Sequence, residues 1–433
     1  MYKERRNKAI FLLTIDALRS DHLKSYGYFR NTAPNINKFA QKGTVFLNAI
    51  TNGPETPTAF SSIFTSSLPF LDGGYSPLPP QKITLPQLLS ESGVYTYSIH
   101  SNPNLGSYFN YDRGFDVFLD GERYKNKEVN HKNFSIKHLF SNYIRKILDY
   151  KDLFKKLMYR LKGFNKIKSW IRTNIPSMTE ILLPFTPIAY NAPYIVNKLS
   201  TLIGSIKKPF FVWAHFMDVH SPYNPPKKNV IQFRNQDFSI SEREFLTSKV
   251  YSHSHKFKIS PKMIDDLIIL YDGEIHFLDE YLAKLLNLIY KKFNDDCLII
   301  IVADHGESFY EHKIFGHQGS VYEEVLKIPL IITEIGKINS LNHVRDTVQL
   351  IDIAPTILEY FNLDIPRNFQ GKSLMATIKG EPIDREDLVI SECYQKNHSM
   401  KRNQREGYIL LSIRKNNEWK YIYNEEKEEE FIF

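Results

Sequence analysis

An α/β fold, with a doubly wound, mostly parallel sheet flanked by helices and a small C-terminal α+β subdomain, is what the sequence predicts, on three observations. Apolar, β-branched runs at residues 9–15, 210–214 and 297–302 give way to the polar residues Asp16, His215 and Asp304. Runs of that length without polar alternation read as parallel strands buried on both faces. Helical patterns at residues 34–42, 84–92, 263–290 and 352–361 separate them, as a doubly wound layout requires. From about residue 365 the pattern changes to short strands at 388–391, 407–413 and 419–423, followed by a charged tail from 425.

At 433 residues the chain can bury a large core. Residues 1–365 read as one domain and 366–433 as a subdomain. Within the first, residues 121–205 interrupt the run of strands. Ile144, Ile147, Leu148, Phe154, Leu157, Met158, Leu161 and Phe164 recur there near helical spacing among lysines, the pattern of a basic amphipathic insertion. Residues 121–172 hold 15 Lys or Arg against 4 Asp or Glu, so the net charge of +8 is concentrated there. That asymmetry suits an anionic substrate or a membrane surface, although a basic stretch is commonly just a solvated face. Nucleic acid is not an expected partner, because no recognised binding module is present.

Composition narrows the class. Hydrophobic residues at 42%, with 30 Phe and 26 Tyr, mark a globular chain rather than a disordered one. Cys297 and Cys393 are too few for a disulfide framework and read as core thiols. The first apolar run ends at Asp16 without a small-residue cleavage site, and no run reaches membrane-spanning length. Cytoplasmic residence is the resulting expectation, with peripheral membrane contact left open.

In an open α/β sheet, ligands sit beyond the carboxyl ends of the strands, where Asp16, Asp304 and His305 fall. Carboxylates and an imidazole converging from distant strands suit one divalent cation, with Mg, Mn, Ca and Zn equally compatible. A single Asp after a strand is more commonly a cap or a turn residue. The conjunction is what points to a metal.

The segment TIDALRSDHL at 14–23 resembles the opening of sulfatase-family catalytic domains in the alkaline phosphatase-like superfamily. Further stretches follow in the family's order: Tyr26-Gly27-Tyr28, Ala33-Pro34-Asn35, Thr56-Pro57, Gly114-Phe115-Asp116, HFMDVHSPYNPP at 215–226, DHGE at 304–307, Gly316-His317 to Glu324, and DIAPT at 352–356. The resemblance spans most of residues 9–375. It implies an anionic sulfate or phosphate ester substrate, with a glycan or lipid headgroup among the candidates. It also implies metal ligation by Asp16, Thr56, Asp304 and His305.

The family's nucleophile opens the helix after the second strand, as a Cys or Ser oxidised to formylglycine. Anchoring on Ile63-Phe64-Thr65 puts Thr56 at that position and Phe60 where the family keeps an Arg. No formylglycine is expected, since oxidation of threonine would give a ketone. A cation-activated hydroxyl is the alternative nucleophile, as in phosphodiesterase and phosphotransferase members. Thr56 also suits a helix N-cap before Pro57. The resemblance makes His220 the group that assists the leaving group, and aligns His100, Asn102 and His317 with substrate-binding positions. His215 reads as a satisfied core histidine or a supporting donor, and Glu307 as support for a ligand histidine. Ala17 stands where many members place a second Asp ligand.

Two functions follow: a metal-dependent hydrolase or transferase of sulfate or phosphate esters, and a noncatalytic relative that binds anionic glycans or lipid headgroups through its basic insertion.

Overall fold

The computed structural model describes residues 7–72, 77–121, 191–251, 254–293, 295–336, 342–381, 388–396, 407–415 and 418–433. The basic pattern expected at 121–172, and with it most of the expected insertion, lies outside the described residues.

Strands β1 (Ala9–Ile15), β2 (Thr44–Ile50), β3 (Tyr95–Ile99), β4 (Val117–Leu119), β5 (Phe210–Phe216) and β6 (Cys297–Ala303) alternate with helices α1 (Pro34–Ala40), α2 (Thr56–Thr65), α3 (Leu85–Glu91), α4 (Ala192–Ser205) and α5 (Pro261–Lys292). A two-residue pair, β7 (Ser308–Phe309) and β8 (Phe315–Gly316), precedes β9 (Lys327–Ile335), β10 (Asn342–Gln349) and α6 (Ile353–Tyr360). The main sheet runs β10-β2-β9-β6-β1-β5-β3-β4. It is parallel except at β9, which is antiparallel to both β2 and β6.

The three runs that announce the fold are adjacent in space. Strand β1 lies between β6 and β5, with Ala9 level with Cys297 and Phe210, and Ile15 level with Ala303 and Phe216. Every residue of the three is buried, which is why they carry no alternation. Because the registers match, the polar residues after β1 and β6 leave the sheet side by side. One boundary differs from expectation: β5 runs to Phe216, so His215 sits inside the strand instead of beyond it. Its ring nitrogens find Thr14 and Asp16 on β1 and just after it, so burial leaves neither unpaired.

Beyond the main sheet, β11 (Leu388–Lys396), β12 (Gly407–Lys415), β13 (Trp419–Asn424) and β14 (Glu429–Ile432) form an antiparallel sheet. The expected charged tail is thus partly a strand. Its glutamates stay exposed while the backbone of 429–432 pairs with β13, so charge did not exclude pairing at a sheet edge. The sheet is bound to the main domain. Glu392 N–H donates to the Asn52 carbonyl at 2.9 Å, and Asn52 Nδ2 to the Ile390 carbonyl at 2.9 Å. Val389, Cys393, Leu410 and Ile422 pack against Ile50, Val321 and Leu326, while Glu323 accepts from Arg414 and Lys420. No described helix is long and apolar enough to cross a membrane.

Candidate active site

The site grows out of the turn after β1. Asp16 N–H still bonds the Phe216 carbonyl at 2.9 Å, continuing the ladder. Ala17 then turns sharply with φ of 55°, a left-handed conformation costing roughly 1–2 kcal/mol for a residue with a Cβ. Two partners hold it: Ala17 N–H donates to Asp304 Oδ1 at 3.2 Å, and its carbonyl accepts from Tyr271 Oη at 2.7 Å. The turn thereby brings Asp16 and Asp304 together.

Both carboxylates are fully buried. Asp16 Oδ2 lies 3.2 Å from His215 Nε2, 3.2 Å from Asn102 Nδ2 and 3.4 Å from Thr56 Oγ1. Asp304 Oδ1 accepts from the amides of Ala17 and His305. The remaining oxygens, Asp16 Oδ1 and Asp304 Oδ2, have no hydrogen-bond partner. Each lies 3.6 Å from His305 Nε2. Burial and the Asp16 charge push the Asp304 carboxyl up. Burial also pushes Asp16 up, but His220, the bond from His215 and His305 outweigh it and hold Asp16 well below the usual carboxylate range.

The donor set fits a divalent cation. His305 Nδ1 is 2.9 Å from the Gly306 carbonyl, to which it can only donate, so the Nε2 lone pair is free. Nε2 is also 3.4 Å from Thr56 Oγ1. Separations of 3.4–3.6 Å resemble the edges, about 3.4 Å, of a tetrahedron of ligands about 2.1 Å from an ion. Asp16, His215 and Asp304 likewise offer ligand atoms within 4.8 Å of one another. Between the two histidines, His305 is the better donor, because His215 Nε2 faces a carboxylate oxygen and must carry the proton.

Thr56 is the first residue of α2, and the cap is Glu55. This corrects the N-cap reading: Glu55 N–H is 3.4 Å from Thr58 Oγ1, and Thr58 Oγ1 donates to the Glu55 carbonyl at 2.8 Å. With capping assigned to its neighbours, the Thr56 hydroxyl is left to face Asp16 and His305. It does so at the positive end of a helix dipole, which favours an anion.

Asn102 Oδ1 accepts from Asn104 N–H at 3.0 Å, which orients Nδ2 toward Asp16. His100 is fully buried against Trp213 and Phe118, with neither ring nitrogen hydrogen-bonded. Burial pushes its pKa well below the ordinary value. His220 Nδ1 donates to the Ser221 carbonyl at 2.6 Å, leaving Nε2 for other partners. Burial pushes the His220 ring down, but the charges of Asp16, Glu307 and Asp304 outweigh it and raise it. The His317 ring lies 4.0 Å from that of His305 and 5.4 Å from that of His220.

Glu307 supports His317, at 3.2 Å from Nδ1, and not the neighbouring His305, whose second nitrogen is satisfied by backbone. Tyr223 and Tyr251 donate to its other oxygen at 3.1 and 2.8 Å. Tyr251 was not among the candidate residues. Nothing in its local sequence marks it, because its role arises from the packing of the 245–250 helical segment.

The arrangement is that of an α/β hydrolytic site, with buried acids and imidazoles around a hydroxyl at a helix start. A sulfatase family model matches residues 8–363, and a model described as N-sulphoglucosamine sulphohydrolase, C-terminal, matches 310–431. The chain belongs to the sulfatase family, whose members are hydrolytic enzymes that bind a divalent metal. An arylsulfatase of Clostridium perfringens is 25% identical over 393 residues, 86% of this chain and 78% of the relative. A phosphonate monoester hydrolase of Agrobacterium radiobacter shares the fold with TM-score 0.68 at 16% identity, over 98% of this chain and 89% of that one. So does a protein solved with its substrate D-glucosamine-2-N,6-O-disulfate, with TM-score 0.67 at 17% identity, over 99% and 91%.

Proposed function

We propose that this chain is a metal-dependent hydrolase or transferase of sulfate, phosphate or phosphonate esters, with Thr56 as its nucleophile. The observation that carries the reading is the Thr56 hydroxyl, 3.4 Å from both Asp16 Oδ2 and His305 Nε2, beside two buried carboxylate oxygens that lack partners. Asp16, Thr56, Asp304 and His305 would hold one divalent cation. When bound, the cation would lower the pKa of the Thr56 hydroxyl and offset the charge of the ester.

The residues of the chain would then divide the work. Thr56 Oγ1 gives up its proton to water and attacks the sulfur or phosphorus, forming an ester to the enzyme as the bond to the leaving oxygen breaks. Asn102 Nδ2 and the positive end of the α2 dipole orient the anionic oxygens, with His100 and His317 at the margins of the substrate. His220, held through Nδ1 with Nε2 free, gives a proton to the departing alkoxide. Water or a second alcohol resolves the ester, which decides between hydrolysis and transfer. A formylglycine mechanism has no precursor here: position 56 is threonine, Cys297 is at the far end of β6 from Asp304, and Cys393 is buried in β11.

The test is turnover of aryl sulfate, aryl phosphate, bis-aryl phosphate and aryl phosphonate with Mg, Mn, Ca or Zn. Metal-dependent turnover of at least one is expected, and Thr56→Ala should lower it by on the order of 10³-fold or more. No metal-dependent turnover would remove the enzymatic reading. Unchanged turnover in Thr56→Ala would remove only the nucleophile.

A further inference from the structure

Three fully buried groups, Trp213, Thr14 and His215, form a hydrogen-bonded chain that ends on Asp16. Trp213 Nε1 is 3.0 Å from Thr14 Oγ1, Thr14 Oγ1 is 3.0 Å from His215 Nδ1, and His215 Nε2 is 3.2 Å from Asp16 Oδ2. The first and last members fix the direction of the line. An indole N–H can only donate, so Thr14 accepts from Trp213. An ionised carboxylate can only accept, so His215 Nε2 carries a proton toward Asp16. The Thr14 proton has two acceptors in reach, His215 Nδ1 at 3.0 Å and the Ala214 carbonyl at 3.3 Å. The nearer is the imidazole lone pair. Phe60 closes the line from outside, with its ring edge-on to His215 at 5.0 Å and against Trp213 at 5.0 Å.

We infer that Trp213, Thr14 and His215 form a donor relay that fixes His215 as the neutral Nε2–H tautomer, so that Asp16 Oδ2 is held as an acceptor and Oδ1 is presented for a cation. His215 is thereby a positioning residue acting through Asp16. The contact between the Thr14 hydroxyl and the His215 ring is a consequence of register: Thr14 is level with His215 because β1 and β5 pair in parallel. The inference deepens the reading of the site under Proposed function and rests on its cation.

The experiment has two readouts that do not depend on turnover. The first is the long-range nitrogen–proton spectrum of the histidine side chains in metal-free, isotope-labelled protein. His215 is expected as the neutral ring protonated at Nε2, with a slowly exchanging Trp213 indole proton. A ring protonated at Nδ1, or at both nitrogens, overturns the relay, and this measurement decides the matter even where a variant does not fold. The second is affinity for Mg, Mn, Ca and Zn, measured by titration and by the metal-induced shift in Tm. Thr14→Val, which keeps the shape and removes the hydroxyl, should weaken binding roughly 10- to 100-fold, the effect of losing an outer partner of a metal ligand, and should shift the His215 tautomer. Thr14→Ser should restore both. Unchanged affinity in Thr14→Val overturns the relay alone. If the wild-type chain binds none of the four ions, the proposed site fails, and the positioning role fails with it.

Discussion

Two pairs of buried aspartates in this molecule are treated in opposite ways. On α5, Asp272 is fully buried and both its oxygens are occupied: His22 Nδ1 lies at 2.7 Å from Oδ1, and Tyr28 Oη and Arg30 at 2.9 and 2.7 Å from Oδ2. Asp279, about two turns further along the same face, accepts from both nitrogens of Asn35 and from Ile36 N–H, which anchors the start of α1. At the strand ends, Asp16 and Asp304 are as deeply buried, yet each leaves one oxygen without a donor. The chain therefore has the means to satisfy a buried carboxylate within its own fold. Where it does not, the shortfall points to a ligand from outside, because an unpaired buried acceptor costs free energy that stability alone would not retain.

Substitution should separate the two pairs. Asp304→Asn should have the largest effect on turnover, a loss on the order of 10³-fold, together with loss of the metal-induced shift in Tm. Its effect on the metal-free protein should run the other way. The folded-state pKa of Asp304 is raised by burial and by Asp16, so the ionised group opposes folding above its ordinary pKa. A neutral side chain removes that opposition, and the metal-free Tm should rise. A lower metal-free Tm would break the comparison.

Next in size is Asp272→Asn, expected to destabilise by about 3 kcal/mol, the low end for a broken buried pair, since it leaves the buried His22 and the partly exposed Arg30 without their carboxylate, while metal affinity stays unchanged. Denaturant unfolding and metal titration measure the two separately. If Asp272→Asn instead weakens metal binding, the two pairs are coupled and the contrast loses its force.

The smallest effect belongs to a carboxylate at the surface. Glu323 is drawn below its ordinary value, with burial opposing and Lys420 and Arg414 prevailing. A depressed folded pKa adds stability above the unfolded value near 4.5, which is lost as pH falls through the lower folded one. Its side chain is 48% exposed, so solvent screening keeps the contribution below about 1 kcal/mol. Glu323→Gln should flatten the acid limb of the Tm profile slightly, and an unchanged limb would show that the Glu323 ion pairs add nothing to the seating of the C-terminal sheet.

What the sequence disclosed about the site follows the same division. Asp16, Asp304 and His305 were legible because each ends a run of β-branched residues, and strand ends converge in any parallel sheet. Thr56 needed the resemblance to a family, since a threonine before a proline looks like an ordinary cap. His215 reads from sequence as a satisfied core histidine or a supporting donor, but its partner Asp16 was not legible, because its orientation depends on a register between strands whose contacts are 199 residues apart. The reversed direction of β9 was equally hidden, as an apolar run carries no sign of whether it lies parallel. The strand in the acidic tail escaped because charge, a property of side chains, masked a pairing made by the backbone.

The position of β1 also bears on how the protein is made. It is synthesised before the strands that flank it yet lies in the middle of the sheet, and Ala17 meets Asp304 only across 287 residues. A nascent chain therefore exposes both edges of this buried, apolar strand until β5 and β6 have emerged, the circumstance in which large parallel sheets aggregate or recruit chaperones. Catalytic competence should accordingly be absent from any ribosome-bound fragment that stops short of His305, however much of the helical layer it has already formed.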